Sequence, residues 1–476
     1  MTALVTAGAA WSRAELDAAA ARLAEALSAR RVRVLATLLD NGASWAIVDA
    51  AAARAGVVHV PLPAFFTAAQ RRHAVAAAGV DTLCAEPAVA PDGAELELGP
   101  AGLGLAWRRL PTAPVAMPAG TAKVTFTSGT TGTPKGVCLG ADAIDAVARG
   151  IGEATAPLGI ERHLSALPYA VLLENIAGLM APLARGASCI ALPLAEVGLS
   201  GSSSFDPATL QAACERHQPH SLILLPQMLR AWSVWLTASG RRAPAALKLV
   251  AVGGAAVGAP LLAAARAAGI PAYEGYGLSE GVSVQTLNLP GADRPGSAGR
   301  PLPHARLRIA ADGEIEVGGA LHLGYLGSAE PLPAWWPSGD LGTIDADGYL
   351  HVRGRKKQVL ITAYGRNVSP EWVECALHAA RVRGQPVLAQ AVVFGDGAPV
   401  LSAVLWPVDA SLPDAVLQAA VDAANATLPD YAQVRDWVRA SRPYSADSGL
   451  ATANGRPQRD AIARLHAGAL RAAATD

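Results

Sequence analysis

Short apolar strands and amphipathic helices take turns along most of this chain, a rhythm that restricts it to α/β layers with largely parallel strands. Ser12, with Glu15 three residues on, reads as a capping box that opens an Ala/Leu-rich helix to about Arg30, and Val32-Arg-Val-Leu-Ala-Thr-Leu-Leu39 follows as a strand. Asp49 to Gly56 closes a second helix, Val57-Val-His-Val-Pro61 is a short strand, and Thr67 to Gly79 is helical again. Pro- and Gly-containing patches at 111–120 and 290–303 read as loops inside one large unit, because apolar strands resume on both sides. Beyond about residue 310 the texture changes. Ala311-Asp-Gly-Glu-Ile-Glu-Val-Gly318 and Asp345-Ala-Asp-Gly-Tyr-Leu-His-Val-Arg353 are alternating segments announced by Asp-Gly turns. The reading is a multidomain α/β (α+β) chain, with a large N-terminal domain of α/β layers plus a small β region over 1–353 and a small C-terminal α+β domain over 354–476.

Composition narrows the partners. The 476 residues carry 39 basic and 39 acidic side chains, so nothing draws the whole chain toward nucleic acid or an anionic membrane. The longest stretch without charge, Leu249 to Ala265, is broken by Gly253, Gly254, Gly258 and Pro260 and falls short of the ~20 apolar residues of a spanning helix. The N-terminus lacks a basic region ahead of an apolar one, so the mature chain is expected to start here. Five scattered cysteines without a C-x-x-C pair fit neither a disulfide framework nor a zinc site and point to the reducing cytoplasm. Only five of the 39 basic residues are lysine: Lys123, Lys135, Lys248, Lys356 and Lys357.

One lysine closes the strongest chemical signal. Val124-Thr-Phe-Thr-Ser-Gly-Thr-Thr-Gly-Thr-Pro-Lys-Gly-Val137 is an apolar strand running into a loop of hydroxyls and glycines. Such a loop turns backbone N–H groups inward as an anion nest, adds hydroxyl donors and supplies one compact positive charge. Gly129 and Lys135 do not satisfy the Walker A spacing. Tyr276, between two glycines, offers a flat face to a purine, Glu280 a hard oxygen to magnesium, and Asp340 in Ser338-Gly-Asp-Leu-Gly342 an acceptor for ribose hydroxyls. Gly277-Leu-Ser279-Glu-Gly281 also spells the nucleophile elbow of serine hydrolases. An elbow needs a helix straight after the serine, whereas Val282-Ser-Val-Gln-Thr-Leu-Asn-Leu-Pro290 alternates as a strand does.

In these segments and their order the chain resembles the acyl-adenylate-forming superfamily of acyl- and aryl-CoA synthetases, peptide-synthetase adenylation domains and luciferases. The resemblance implies that Thr127, Ser128, Gly129, Thr130, Thr131, Gly132 and Lys135 hold the phosphates of ATP, with Thr130 and Glu280 on Mg2+. Gly253, Gly254, Ala255, Glu274, Gly275, Tyr276, Gly277, Leu278 and Ser279 would line the adenine, Asp340 would hold the ribose, and Arg355 would also belong to the nucleotide site. Tyr169, Val171, Leu172, Gln227 and Gly281 would wall an acyl pocket. That pocket lacks the aspartate with which amino-acid-activating members hold an ammonium group, and Val171 stands where many members carry histidine. Gly354-Arg-Lys-Lys357 matches the domain hinge, with Lys357 as its pivot, and Tyr364 and Gly365 in Thr362-Ala-Tyr-Gly-Arg366 would face the incoming thiol.

The family then implies ATP-dependent conversion of an apolar, fatty or aryl carboxylic acid to acyl-AMP, followed by transfer to coenzyme A or to the phosphopantetheine of an acyl carrier protein. One departure bears on the first step. Thr452-Ala-Asn-Gly-Arg-Pro-Gln-Arg459 puts Arg456 where the family has its adenylation lysine, and a planar fork on a longer stem is not a conservative replacement for a point charge. Two alternatives therefore stand beside the ligase: a relative with impaired adenylation that consumes or binds acyl-AMP, and a serine hydrolase built on Ser279.

Overall fold

The computed structural model describes residues 2–89, 103–127, 135–201, 204–328, 331–361, 363, 367–452 and 455–473. The capping box is formed: the Glu15 amide donates to Ser12 Oγ (3.2 Å), the Ser12 amide donates to Glu15 Oε2 (2.7 Å), and the helix runs Arg13–Ala29. The helix expected to close at Gly56 spans Ala43–Ala55, with Gly56 in the left-handed conformation (φ 66°) that lets the chain turn into the strand Val58–Pro61. Thr67 and Gln70 form a second reciprocal cap for the helix Ala68–Ala77.

Two large sheets are layered in the N-terminal part. In the first, Val34–Leu38 pairs in parallel with Val58–Pro61 and with Thr82–Ala85, and Val58–Pro61 pairs in parallel with Thr121–Thr127. Thr121–Thr127 and Lys135–Gly140 are antiparallel, with Thr127 opposite Lys135. The second sheet carries Arg162–Leu164, Ser221–Leu224, Leu249–Val252 and Ala272–Leu278 in parallel, closed on one side by antiparallel Ser283–Leu287. Each sheet is buried by its own apolar cluster, one around Trp232, Leu222 and Val250, the other around Val60, Leu38 and Val124.

The Asp-Gly turns do open hairpins: Ala305–Ile309, Glu314–Gly319, Trp336–Ile344 and Leu350–Arg355 form an antiparallel four-stranded sheet. After a single 3-10 turn at Lys356–Gln358 the chain enters a region with its own core. There Leu388–Phe394, Leu401–Pro407 and Val434–Arg439 pack beneath the helices Pro370–Ala379 and Asp414–Asn425 around Val373, Leu405 and Leu417. Arg459 ties this region together with a bidentate contact to the buried Glu374 (2.6 and 2.8 Å). Lys356 points the other way, 2.6 Å from Asp312 and 2.7 Å from Glu314 of the four-stranded sheet.

Candidate active site

The ends of Leu249–Val252 and Ala272–Leu278 deliver Gly253, Gly254, Ala255, Glu274, Gly275, Tyr276, Gly277, Leu278 and Ser279 into one cleft between the layered sheets, the four-stranded sheet and the C-terminal region. Glycine is required at 277, where an added Cβ would sit 2.1 Å from the Ser283 carbonyl oxygen. The 3-10 turn Ser279–Gly281 then reverses the chain through Val282, a buried β-branched residue held at φ 67°, a conformation that costs about 1–3 kcal/mol. That turn aims Glu280 into the cleft. No helix follows Ser279, so the geometry of a nucleophile elbow is not formed.

Tyr276 and Asp340 meet across the cleft: the phenol donates to Asp340 Oδ2 at 2.7 Å, while Arg355, opposite Asp340 in the strand register, donates Nε to Oδ1 at 2.8 Å. Ser338 Oγ receives the Asp340 amide (3.0 Å). Burial raises the Asp340 carboxyl above its ordinary value against the opposing pull of Arg355 and the Tyr276 hydroxyl. Among the described residues the Glu274 carboxylate, on the same strand as Tyr276, has only a long contact from the Val257 amide (3.4 Å), and burial pushes it up to about 7.

A second cluster stands around Glu280. Its Oε1 accepts from the Tyr325 hydroxyl at 2.7 Å, and Lys135 Nζ lies 5.6 Å from the centre of the Tyr325 ring. His322 donates its amide to the Glu280 carbonyl (2.8 Å) and packs edge-on against Tyr325 and Trp336. Sequence reasoning missed Tyr325, His322 and Trp336. Tyr325 arrives because the two-residue strand Gly324–Tyr325 pairs with Lys135–Gly140, a contact that no local spacing announces.

Arg456 reaches the same cleft from the C-terminal region. Its guanidinium donates Nη2 to the Gly254 carbonyl, and a turn fixes its backbone: the Thr452 amide donates to the Arg456 carbonyl (2.7 Å) and the Arg456 amide to Thr452 Oγ1 (3.1 Å). Beside it, Gly455 leaves 3.1 Å between the position of an added Cβ and Gln227 Nε2. Val171, Leu172 and Gln227 line the cleft. Tyr169 and Gly281 do not. Tyr169 is buried, its hydroxyl bonded to Ser165 Oγ (2.8 Å) and its ring 5.2 Å from that of Trp45, because its phenol finds a partner inside the core. Gly281 is covered by Gln285, whose Nε2 donates to its carbonyl (2.6 Å).

Of the expected phosphate loop, Ser128, Gly129, Thr130, Thr131 and Gly132 lie outside the described residues, as do Thr362, Tyr364, Gly365 and Arg366 of the thiol-facing loop. Thr127 is described by its backbone, which ends the strand facing Lys135. Only the backbone of Lys357 is described, in the turn Lys356–Gln358 after Arg355. Among the described residues no group of three or more His, Cys, Asp or Glu is assembled to hold a metal, and no helix is long and apolar enough to cross a membrane.

The architecture is that of the multidomain adenylate-forming ligases. The o-succinylbenzoate–CoA synthetase MenE of Bacillus subtilis, solved with ATP and magnesium ion, matches over 97% of this chain and 96% of its own, with a TM-score of 0.75 and 25% identity. The anthranilate–CoA ligase AuaEII, solved with anthranoyl-AMP, shares the fold at a TM-score of 0.79 and 20% identity, covering 99% of this chain and 94% of that one. In sequence, the feruloyl-CoA synthase of an Amycolatopsis species is 31% identical over 444 residues, 86% of each protein. The long-chain-fatty-acid–CoA ligase FadD15 of Mycobacterium bovis is 41% identical over 162 residues, 32% of this chain, and the match spans only 26% of that relative. The family model described as AMP-binding enzyme matches residues 1–326. The chain belongs to this AMP-binding family, within the acyl-adenylate-forming superfamily that includes the acyl-CoA synthetases.

Proposed function

We propose that this chain activates an apolar carboxylic acid with ATP and Mg2+, forming acyl-AMP and pyrophosphate, and then passes the acyl group to the thiol of coenzyme A. The observation that carries the reading is the convergence, in one cleft, of the Tyr276–Asp340–Arg355 set, the Glu280–Tyr325–Lys135 set and Arg456. Tyr276 stacks on the adenine and Asp340, kept in place by Arg355, accepts the ribose hydroxyls. Glu280 fits a magnesium ligand: Tyr325 occupies Oε1 and orients the carboxylate, and a single protein carboxylate suffices where triphosphate and water complete the shell. When bound, the metal spreads the charge that builds on the departing pyrophosphate. Lys135 adds a positive charge on that side.

We assign Arg456 to the meeting point of the attacking carboxylate and the α-phosphate, and a guanidinium already held in the cleft by the Gly254 carbonyl favours a working substitute for lysine over a silenced site. For the second step we assign the pivot to Lys357, between the two independently packed regions, with rotation withdrawing Arg456 and admitting the loop of Tyr364 and Gly365. Coenzyme A is preferred to a carrier protein because the named relatives are CoA ligases and synthases.

Pyrophosphate release from Mg·ATP, measured with a panel of aliphatic and aryl acids with and without coenzyme A, tests the reading. Release above the no-acid control in the native chain, and thioester formation that Lys357→Pro abolishes, are the expected results. Absence of release from the native chain but recovery in Arg456→Lys would establish the acyl-AMP binder instead.

A further inference from the structure

Behind the cleft lies a separate cavity of about 120 Å³, and the two share a wall made by Leu173, Ile223, Ala251, Val284 and Leu287. One wall of the cavity is formed by a rare element. Glu174–Met180 is a π-helix, a wider winding that often marks functional sites. It continues into a short α-helix, Ala181–Ala184, and together they present Leu173, Ala177 and Ala181 to the cavity at spacings of four. Alanine at two of these three positions leaves the space unfilled.

Buried polar contacts pin both flanks of this helix. Glu174 accepts from or donates to His163 Nε2 (3.1 Å), and His163 Nδ1 meets Ser221 Oγ (2.9 Å). Asn175 accepts from Lys123 Nζ and donates to Asp49 (3.2 Å). The His163 and Ser221 side chains reach the cavity wall already bonded to each other, so they offer little to a charged ligand. The rest of the lining is mainly aliphatic, joined by Thr155, Gly159 and Arg185.

We infer that this cavity receives the distal end of the acid's hydrocarbon tail, with Leu173 and Ala251 as the gate and Ala177 and Ala181 setting the length that fits. The inference rests on the function proposed above and adds the substrate class: a straight aliphatic acid of medium length. An apolar cavity of ~150 Å³ takes up benzene, so about 120 Å³ accommodates a segment of roughly four or five carbons. Each methylene moved from water into it raises kcat/KM roughly fourfold.

The test is the chain-length profile of pyrophosphate release from butanoate to hexadecanoate. The native chain is expected to climb steeply once the tail passes the gate, then level off. Ala177→Leu and Ala181→Leu fill the cavity without touching the cleft, and each should lower the rate with the longer acids by at least tenfold while leaving butanoate unchanged. Leu173→Ala should widen the gate and shift the preference toward longer acids. Release with a profile identical in all four proteins would overturn this inference alone. Loss of butanoate and longer acids in equal measure from all three variants would overturn it too. No release with any acid from the native chain would bring down the proposed function and this inference with it.

Discussion

Two of the five lysines stand at the same distance from an aromatic ring, yet the chain uses them in opposite ways. Lys123 Nζ is 5.6 Å from the Trp45 ring centre and Lys135 Nζ is 5.6 Å from that of Tyr325. Lys123 is buried at 5% exposure and its charge is matched: Asp49 Oδ1 lies at 2.8 Å and also meets His59 Nδ1 at 2.6 Å, while Asn175 and Thr37 complete the network. Burial alone would raise the Asp49 carboxyl, but Lys123 and His59 hold it well below its ordinary value. Lys135 is exposed at the cleft and has no ion-pair partner among the described residues. A neutralised lysine fastens layers together, and an unmatched one is available to an anion.

Breaking the buried pair should produce the largest effect. Asp49→Ala strands an uncompensated charge and is expected to cost about 3–5 kcal/mol of unfolding free energy in urea titration; Lys135→Met should change it by no more than about 0.5 kcal/mol. The two swap places in the activity assay. Lys135→Met is expected to slow pyrophosphate release by about 10²–10³-fold, and a variant with unaltered rates would remove Lys135 from the phosphate site.

Glu274 sharpens the contrast as a half-buried carboxylate without a cation partner among the described residues. Its carboxyl is raised from 4.5 to about 7, so the folded state holds the proton more tightly than the unfolded state does. The resulting stabilisation is fully present below about pH 4.5 and is lost as pH rises through about 7. Stability should fall by up to about 3 kcal/mol across that window, and Glu274→Gln should flatten this part of the profile; an unchanged slope in the variant counts against the assignment. The smallest effect belongs to Tyr325→Phe, which frees Glu280 Oε1. Titration of pyrophosphate release with Mg2+ should show a half-saturating concentration about tenfold higher.

Legibility followed how far apart the cooperating residues lie in the chain. Tyr276 and Asp340 were readable as facing one cleft because each stands in a compact segment whose glycines and carboxylates make chemical sense locally, and the cap at Ser12 because a cap is a four-residue event. The alternating texture likewise announced the four-stranded sheet. Tyr325 was unreadable because only strand pairing brings it to Glu280. Tyr169 misled for the converse reason: its neighbours Pro168 and Ala170 do line the cleft, but its own side chain turns inward to Ser165 and Trp45. Lys123 gave no local sign that it would meet Asp49, which lies on the helix Ala43–Ala55.

The clamp at Lys356 has a consequence for timing. Two short ion pairs fasten this residue to Asp312 and Glu314 immediately before the assigned pivot, and the lysine side chain is 43% exposed. Dissolved ions weaken such surface contacts, so under the proposed rotation about Lys357 the clamp would act as a brake whose grip depends on ionic strength. Raising salt should favour the second half-reaction over the first, and Lys356→Met should erase that dependence, making the switch between steps a property of the medium as well as of the bound ligands.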